Sequence, residues 1–398
     1  MTPDGAWCAK RNLRFMSMLS YQICSRCVMD TSDPEITFDE AGVCNHCHTH
    51  DGALEQQVFS GDDGRQRLDQ IVERIKREGA GNAYDCVIGV SGGVDSTYTA
   101  WQVKELGLRP LAVHLDNGWN SEIAVKNIAN ALERLNIDLY THVIDWEEYR
   151  DIQRAFLLAS VPDVEIPSDH AILATLYNAA AKHGIKTIVS GNNVRTESHL
   201  PPSWSQGHLD FGYIRDIHTR YGNGKVKTFP SLSFYQYLMH VRSGPKPFDV
   251  LNYVDYTRDR ALELIQSELG WRDYGGKHHE STFTRWYQGC YLPRKFGYDK
   301  RRTHLSSLVS TGQITRQEAL AELQPPPYDE KLQEADCVYV AKKLGFSNEE
   351  YNAIMTAPPA RFEDFHSYRK MLNVGLLKSA RQVRRSLINL TSRGGAAG

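Results

Sequence analysis

An apolar run that ends in a pair of glycines and passes directly into a helix constrains this chain more than any other feature. Tyr84-Asp-Cys-Val-Ile-Gly-Val90 has the length of a buried strand. Ser91-Gly-Gly-Val-Asp-Ser96 follows, and Thr97 onward reads as a helix. A strand, a tight glycine loop and a helix start together make an anion site. The backbone of Gly92, Gly93 and Val94 can turn N–H groups inward, and the helix N-terminus adds partial positive charge. Ser91 and Ser96 supply hydroxyl donors. Asp95 beside such a site is unfavourable unless it orders the loop or holds Mg²⁺. No Gly-Lys-Ser/Thr follows the glycines, so the pattern is not a Walker loop.

The pattern downstream alternates strand and helix. Pro110–Leu115, Leu139–Ile144 and Lys186–Ser190 read as strands, and Trp146–Ser160, Ser168–His183 and Thr257–Leu269 as helices. Alternation of this kind predicts an α/β fold with a doubly wound parallel sheet and right-handed crossovers. Ligands of such sheets lie beyond the carboxyl ends of the strands. The loops at 91–96, 114–119 and 190–193 should therefore converge. His114, Asp116, Gly191 and Asn192 become candidates for contacting a nucleoside, with capping of the next helix an equal alternative for Asp116.

Cys24-Ser-Arg-Cys27 and Cys44-Asn-His-Cys47 have the spacing of two zinc knuckles. Four thiolates leave no open coordination position, so a structural Zn²⁺ is expected, in a ribbon too small to fold without it. His46, His48 and His50 are expected to face solvent. Charged residues make up 24% of the chain and the net charge is −2, which speaks against nonspecific nucleic-acid binding. No apolar segment is long enough to insert in a membrane, and no signal-peptide core is evident, so a cytoplasmic protein with reduced cysteines is expected.

The expected organisation is a disordered extension over 1–20, a zinc ribbon over 21–50 and a linker helix over 51–83. An ATP-binding domain follows over 84–245, then a helical substrate or partner region over 246–393 and a disordered tail over 394–398. Met16 and Met18 are plausible alternative starts. Within the helical region, Tyr274-Gly-Gly-Lys277-His-His-Glu280-Ser-Thr-Phe-Thr-Arg285 packs titratable side chains beside glycines, a poor composition for a generic surface helix. Arg294, Lys295, Lys300, Arg301 and Arg302 follow, with phosphate neutralisation and a solvated helix face as equal alternatives.

The Ser91–Ser96 loop resembles the PP-loop of the ATP pyrophosphatases, of the adenine nucleotide alpha hydrolase-like fold. Together with the cysteine ribbon, His114-Leu-Asp-Asn-Gly-Trp119, Glu165-Ile-Pro-Ser-Asp-His170 and Gly275-Gly-Lys-His-His-Glu-Ser281, the chain resembles the N-acetyl sugar amidotransferase family of lipopolysaccharide O-antigen and pseudaminic- or legionaminic-type sugar biosynthesis. The resemblance implies that ATP and Mg²⁺ bind over the loop and that a sugar N-acetyl oxygen attacks the α-phosphate. Ammonia then displaces AMP to leave an acetamidino group. Asp95, Ser96, Lys277 and Arg285 would be the catalytic residues. The substrate would be a sugar nucleotide. Ammonia would come from glutaminase and barrel subunits resembling those of imidazole glycerol phosphate synthase, since the second residue is Thr and Cys290 lacks a glycine-flanked elbow.

Two other functions compete. A tRNA sulfurtransferase can join a zinc ribbon to the same loop, but Cys86, Cys290 and Cys337 stand isolated in the sequence. A noncatalytic scaffold would have no need of an intact Ser-Gly-Gly-Val-Asp-Ser.

Overall fold

The computed structural model describes residues 21–276 and 279–368. The expected extension 1–20, the tail 394–398 and Lys277 lie outside the described residues.

Five strands form one parallel sheet: β1 (Cys86–Gly89), β2 (Pro110–Asp116), β3 (Asp138–Val143), β4 (Thr187–Ser190) and β5 (Lys246–Asp249). Their order is β3-β2-β1-β4-β5, which bears out the doubly wound α/β reading. The chain steps outward from β1 to β3, then returns to place β4 on the free side of β1. That reversal leaves a crevice between the carboxyl ends of β1 and β4, where such sheets bind ligands.

The inner strands β1, β2 and β4 are apolar on both faces because both faces are covered. Cys86, Ile88 and Val90 pack with Ala100, Val103, Ile128 and Leu132 from the helices Val94–Glu105 and Glu122–Leu135. Val87, Leu111, Val113 and Ile188 pack on the opposite face against Leu176, Ala179 and Ala180 of the helix Ile166–Lys182.

β5 is a strand that hydrophobic patterning does not reveal. It is four residues long and contains Pro247, which cannot donate to a ladder and is tolerated because β5 is an edge. It falls just past the expected end of the ATP-binding domain. The expected linker helix is two helices, Asn45–Gln57 and Gly61–Glu78. In the cysteine module, Phe38 and Cys44 form an isolated antiparallel bridge.

As far as residue 368 the described C-terminal region is mainly helical, as expected. An aromatic core holds it to the end of the sheet, with Trp119 and Tyr149 packed among Phe283, Trp286, Tyr287 and Tyr291. The cysteine module is tied to these helices as well. Arg316 donates to the carbonyls of Cys24 and Cys27 at 2.8 and 3.0 Å. Arg302 pairs with buried Asp30 at 3.0 Å. Among the described residues, no helix is long and apolar enough to cross a membrane.

Candidate active site

The β1 loop is built by its own hydroxyls. Ser91 Oγ accepts from the Gly93 N–H at 3.2 Å and lies 3.2 Å from Ser96 Oγ, which also accepts from the Ser91 N–H at 3.3 Å. Gly92 has φ +80° and sits against the helix Glu122–Leu135; a Cβ there would lie 2.6 Å from the Ala124 carbonyl oxygen. Its own carbonyl accepts from Trp271 Nε1 at 2.8 Å. Gly191 brings the β4 loop close for the same reason: a Cβ there would lie 2.9 Å from Thr99 Oγ1 and 3.1 Å from the Asp95 carbonyl oxygen.

The segment after Trp271 returns over this loop. Asn127 clamps the backbone of Arg272, donating to its carbonyl at 2.8 Å and accepting from its N–H at 2.9 Å. Asn120 and Ser281 then form a bridge, with Ser121 N–H donating to the Glu280 carbonyl at 2.8 Å. Tyr274 and Glu280 are thereby carried onto the glycine loop, since a Cβ on Gly93 would lie 3.4 Å from Tyr274 Oη and 3.5 Å from Glu280 Oε1. Lys277 belongs to the same segment but lies outside the described residues.

Two carboxylates flank the loop, each served by a phenol. The Tyr256 hydroxyl donates to Asp95, and Tyr274 is bonded to Glu280. Burial first, and then the neighbouring carboxylate, pushes each phenol far above its ordinary value. Both hydroxyls therefore stay protonated as donors. Oxygen ligands of this kind suit a hard divalent cation such as Mg²⁺.

These elements wall a cavity of about 690 Å³. Ser91, Gly93, Val94, Asp95, Ser96, His114, Gly191 and Asn192 all line it. His114 is held as one tautomer: Nδ1 donates to the Val90 carbonyl at 2.9 Å and Nε2 accepts from Asn120 at 3.1 Å. Asp116 does not line the cavity. Its carboxylate accepts from the Gly118 N–H at 2.9 Å and so shapes its own turn. The cap of the next helix is Ser121.

Arg285 requires a correction. Its guanidinium makes a fork with Asp336, Nε and Nη2 each donating at 2.8 Å, and the side chains are 14% and 5% exposed. It is absent from the cavity wall. The fork to Asp336 holds the guanidinium away from the cavity, so it is not placed to reach a diphosphate there. Breaking a buried ion pair costs about 3 kcal/mol or more. Arg285→Ala is therefore expected to lower the unfolding midpoint in urea markedly, and Arg285→Lys to restore little of it, since lysine lacks the fork. Unchanged stability with selective loss of ATP turnover would return Arg285 to catalysis.

Of the later basic run, only Lys300 lines the cavity. Arg294 donates to Gln333, Lys295 to the Ile354 and Ala357 carbonyls, Arg301 to Asp299, and Arg302 to the Val28 carbonyl. Arg258 and His304 are further basic residues in the wall.

Sequence reasoning did not single out Glu165 as a site residue, though it opens one of the motifs behind the resemblance. It precedes the helix Ile166–Lys182, whose Ser168, Asp169 and Ile172 also line the cavity. Thr284 donates to its carboxylate. Burial raises the Glu165 carboxyl to about 7; Lys300 and Thr284 oppose the rise, while Asp169 and Asp163 add to it. Behind it, burial works against the His208 charge, yet Asp169 at 3.3 Å and Asp163 at 3.8 Å hold its imidazolium to about 9.

Cys24, Cys27, Cys44 and Cys47 form a separate, buried centre, with all four sulfurs within 4.8 Å of one another. Adjacent sulfurs are 3.7 to 3.9 Å apart. A tetrahedron with Zn–S bonds of about 2.3 Å has edges of about 3.8 Å, so the donor set fits Zn²⁺. Backbone N–H groups of Arg26, Cys27 and Met29 point at Cys24 and Cys27 at 3.4 Å, and that of Cys44 at Cys24 at 3.2 Å, arranged to support thiolates. His46 and His50 are buried, contrary to expectation. His46 is bonded to Asp33 at 2.7 Å and His50 to Ser198. Metal analysis should find about one tightly held zinc per chain. Cys24→Ser should cut soluble yield more than the turnover of whatever folds, and full stability after complete zinc removal would contradict this assignment.

Residues 280–380 match the family model described as LPS biosynthesis protein WbpG-like, C-terminal domain. Over these residues the C-terminal part of the chain is similar to that family. This agrees with the lipopolysaccharide-type resemblance carried by the sequence motifs. The WbpG-like segment supplies Glu280, Ser281, Thr284, Gln288 and Lys300 to the cavity. The glutamine-hydrolyzing GMP synthase of Pyrobaculum aerophilum is 36% identical over 163 residues, which is 36% of this chain and 31% of that protein. The chain thus spans about a third of that relative's length. Among solved structures, NMN synthetase from Francisella tularensis aligns with a TM-score of 0.33 at 16% identity, over 76% of this chain and 98% of that one. NH3-dependent NAD synthetase from Campylobacter jejuni aligns at 0.29 and 13%, over 75% and 99%. The fold assignment rests on the sheet itself and not on these distant alignments.

Proposed function

We propose that this chain is an ATP-dependent amidotransferase of surface-sugar biosynthesis, which adenylates the N-acetyl group of a sugar nucleotide and converts it with ammonia to an acetamidino group. The observation that carries this reading is the Ser91–Ser96 anion loop, set at the β1/β4 crevice and opening into a cavity of about 690 Å³. The WbpG-like segment that completes the cavity wall supports the sugar class.

In this reading the loop N–H groups, with Ser91 and Ser96, grip the β,γ-diphosphate. Asp95, with Glu280 alongside, would hold Mg²⁺, which neutralises charge on the departing diphosphate. Lys300 takes the place first expected of Arg285 as a fixed cation in the wall. His114 and Asn192, at the ends of β2 and β4, face the nucleoside. Substrate oxygen and ammonia do the attacking, so no nucleophilic side chain is required. Cys290 and Cys337 lie side by side, with sulfurs 3.1 Å apart. They are buried and do not line the cavity, which argues against sulfur transfer there.

Ammonia is supplied by separate glutaminase and barrel subunits. Free ammonium at alkaline pH is expected to support amidination by this chain alone, because NH₃ is the nucleophile, whereas glutamine alone is expected to fail. Robust glutamine-dependent amidination by the isolated chain would overturn the partner requirement. A partner would also shield the activated imidate from water.

A further inference from the structure

We propose that Glu165 is the general base of the nitrogen-transfer step, an inference that rests on the amidotransferase reading above. The adenylated imidate and the ammonia must meet inside the cavity. When the ammonia nitrogen bonds to the imidate carbon, the C=N π pair moves onto the sugar nitrogen, which takes up a proton, and the incoming nitrogen carries a positive charge. That adduct cannot collapse productively until a proton leaves the nitrogen; otherwise ammonia departs again. Proton loss restores the nitrogen lone pair, the C–O bond to AMP breaks with its electron pair going to AMP, and the amidine remains.

Glu165 has the position for this task. It lies in the wall that the helix Ile166–Lys182 presents to the cavity, on the same cavity as the adenylating loop. Thr284 donates to one carboxylate oxygen and fixes the group. Glu165 is a buried carboxyl in the wall of a ligand cavity, and among the described residues no guanidinium is paired to it. Other acids of the wall are engaged: Asp249 is bonded to Ser190, and Asp273 accepts from the Gly275 N–H at 2.9 Å. Asp95 and Glu280 flank the diphosphate loop and are bonded to phenols. Asp163 accepts from Ser205 and Asp169 faces His208.

The charged and titratable groups around Glu165 are Asp163 and Asp169 on its own stretch, Lys300 in the cavity wall, Tyr149 and Tyr287 from the helices behind, and His208 beyond Asp169. Burial sets Glu165 near 7, where a base is both deprotonated in useful amount and strong enough to accept a proton. The sign is that of a base: the nitrogen step, expressed per free NH₃, should rise with pH through about 7 and then level.

The test separates the two half-reactions in the full-length protein, with ammonium chloride as nitrogen source and a panel of UDP- and CMP-linked N-acetyl sugars as acceptors. Acceptor-dependent exchange of labelled diphosphate into ATP reads adenylation. Amidine formation reads the nitrogen step. Glu165→Gln keeps the shape and the Thr284 contact. It should cut amidine formation by roughly a hundredfold or more and erase its rise near neutral pH, with a much smaller change in exchange. Glu165→Asp should recover part of the rate and the pH dependence. Equal losses in both half-reactions, or an unchanged pH profile in Glu165→Gln, would overturn the assignment while leaving the amidotransferase reading intact. Absence of acceptor-dependent exchange in the wild type would instead remove that reading and this inference with it.

Discussion

Asp95→Asn is expected to reduce AMP formation by roughly a hundred- to a thousandfold, the loss seen when a fixed electrostatic contact to the reacting group is removed. Asparagine preserves size and can still accept from the Tyr256 hydroxyl that now donates to Asp95. Folding should survive, because the change touches one side chain in the first turn of the helix Val94–Glu105. What disappears is the negative charge that would hold Mg²⁺ against the diphosphate. Raising Mg²⁺ should recover part of the activity if weakened cation binding is the defect. Full activity in Asp95→Asn, with an unchanged Mg²⁺ dependence, would show that the carboxylate only orders the loop.

Gly92→Ala should be comparably damaging for a different reason. A left-handed backbone costs a non-glycine residue about 1–2 kcal/mol. The larger penalty is steric, because the new methyl would lie 2.6 Å from the Ala124 carbonyl oxygen. That atom is main chain in the helix Glu122–Leu135, so relief requires moving the helix or the loop. Either movement spoils the hydroxyl-bonded loop and the Trp271 bond to the Gly92 carbonyl. ATP binding, followed by calorimetry, should be lost while circular dichroism stays close to native. ATP affinity equal to wild type would mean that the loop does not carry the nucleotide.

The glycine loop and the cysteine pairs were legible because their chemistry is local. Spacing within a few residues determines the turn, the helix start and the thiolate set. The sheet was legible through alternation, except β5, whose four residues with Pro247 have no pattern to read. Long-range pairings were not legible. Arg285 looked catalytic beside glycines and histidines, but its partner Asp336 lies 51 residues on. Glu165 takes its raised value from burial, and its bonded partner Thr284 lies 119 residues away. His46 and His50 looked like surface residues until Asp33 and Ser198 closed over them. Cys290 and Cys337, isolated along the chain, are neighbours in space. In each case burial, which is a property of the whole fold, decides what a titratable side chain does.

The most direct test of the central claim is mass spectrometry of UDP- and CMP-linked N-acetyl sugars after incubation with the protein, ATP, Mg²⁺ and ammonium, with the nucleotide products resolved in the same samples. The account predicts that one acceptor loses the mass difference between O and NH, and that AMP and diphosphate form in step with it. Accumulation of ADP and orthophosphate in place of AMP and diphosphate, or AMP release with no acceptor changed under any nitrogen supply, would contradict it.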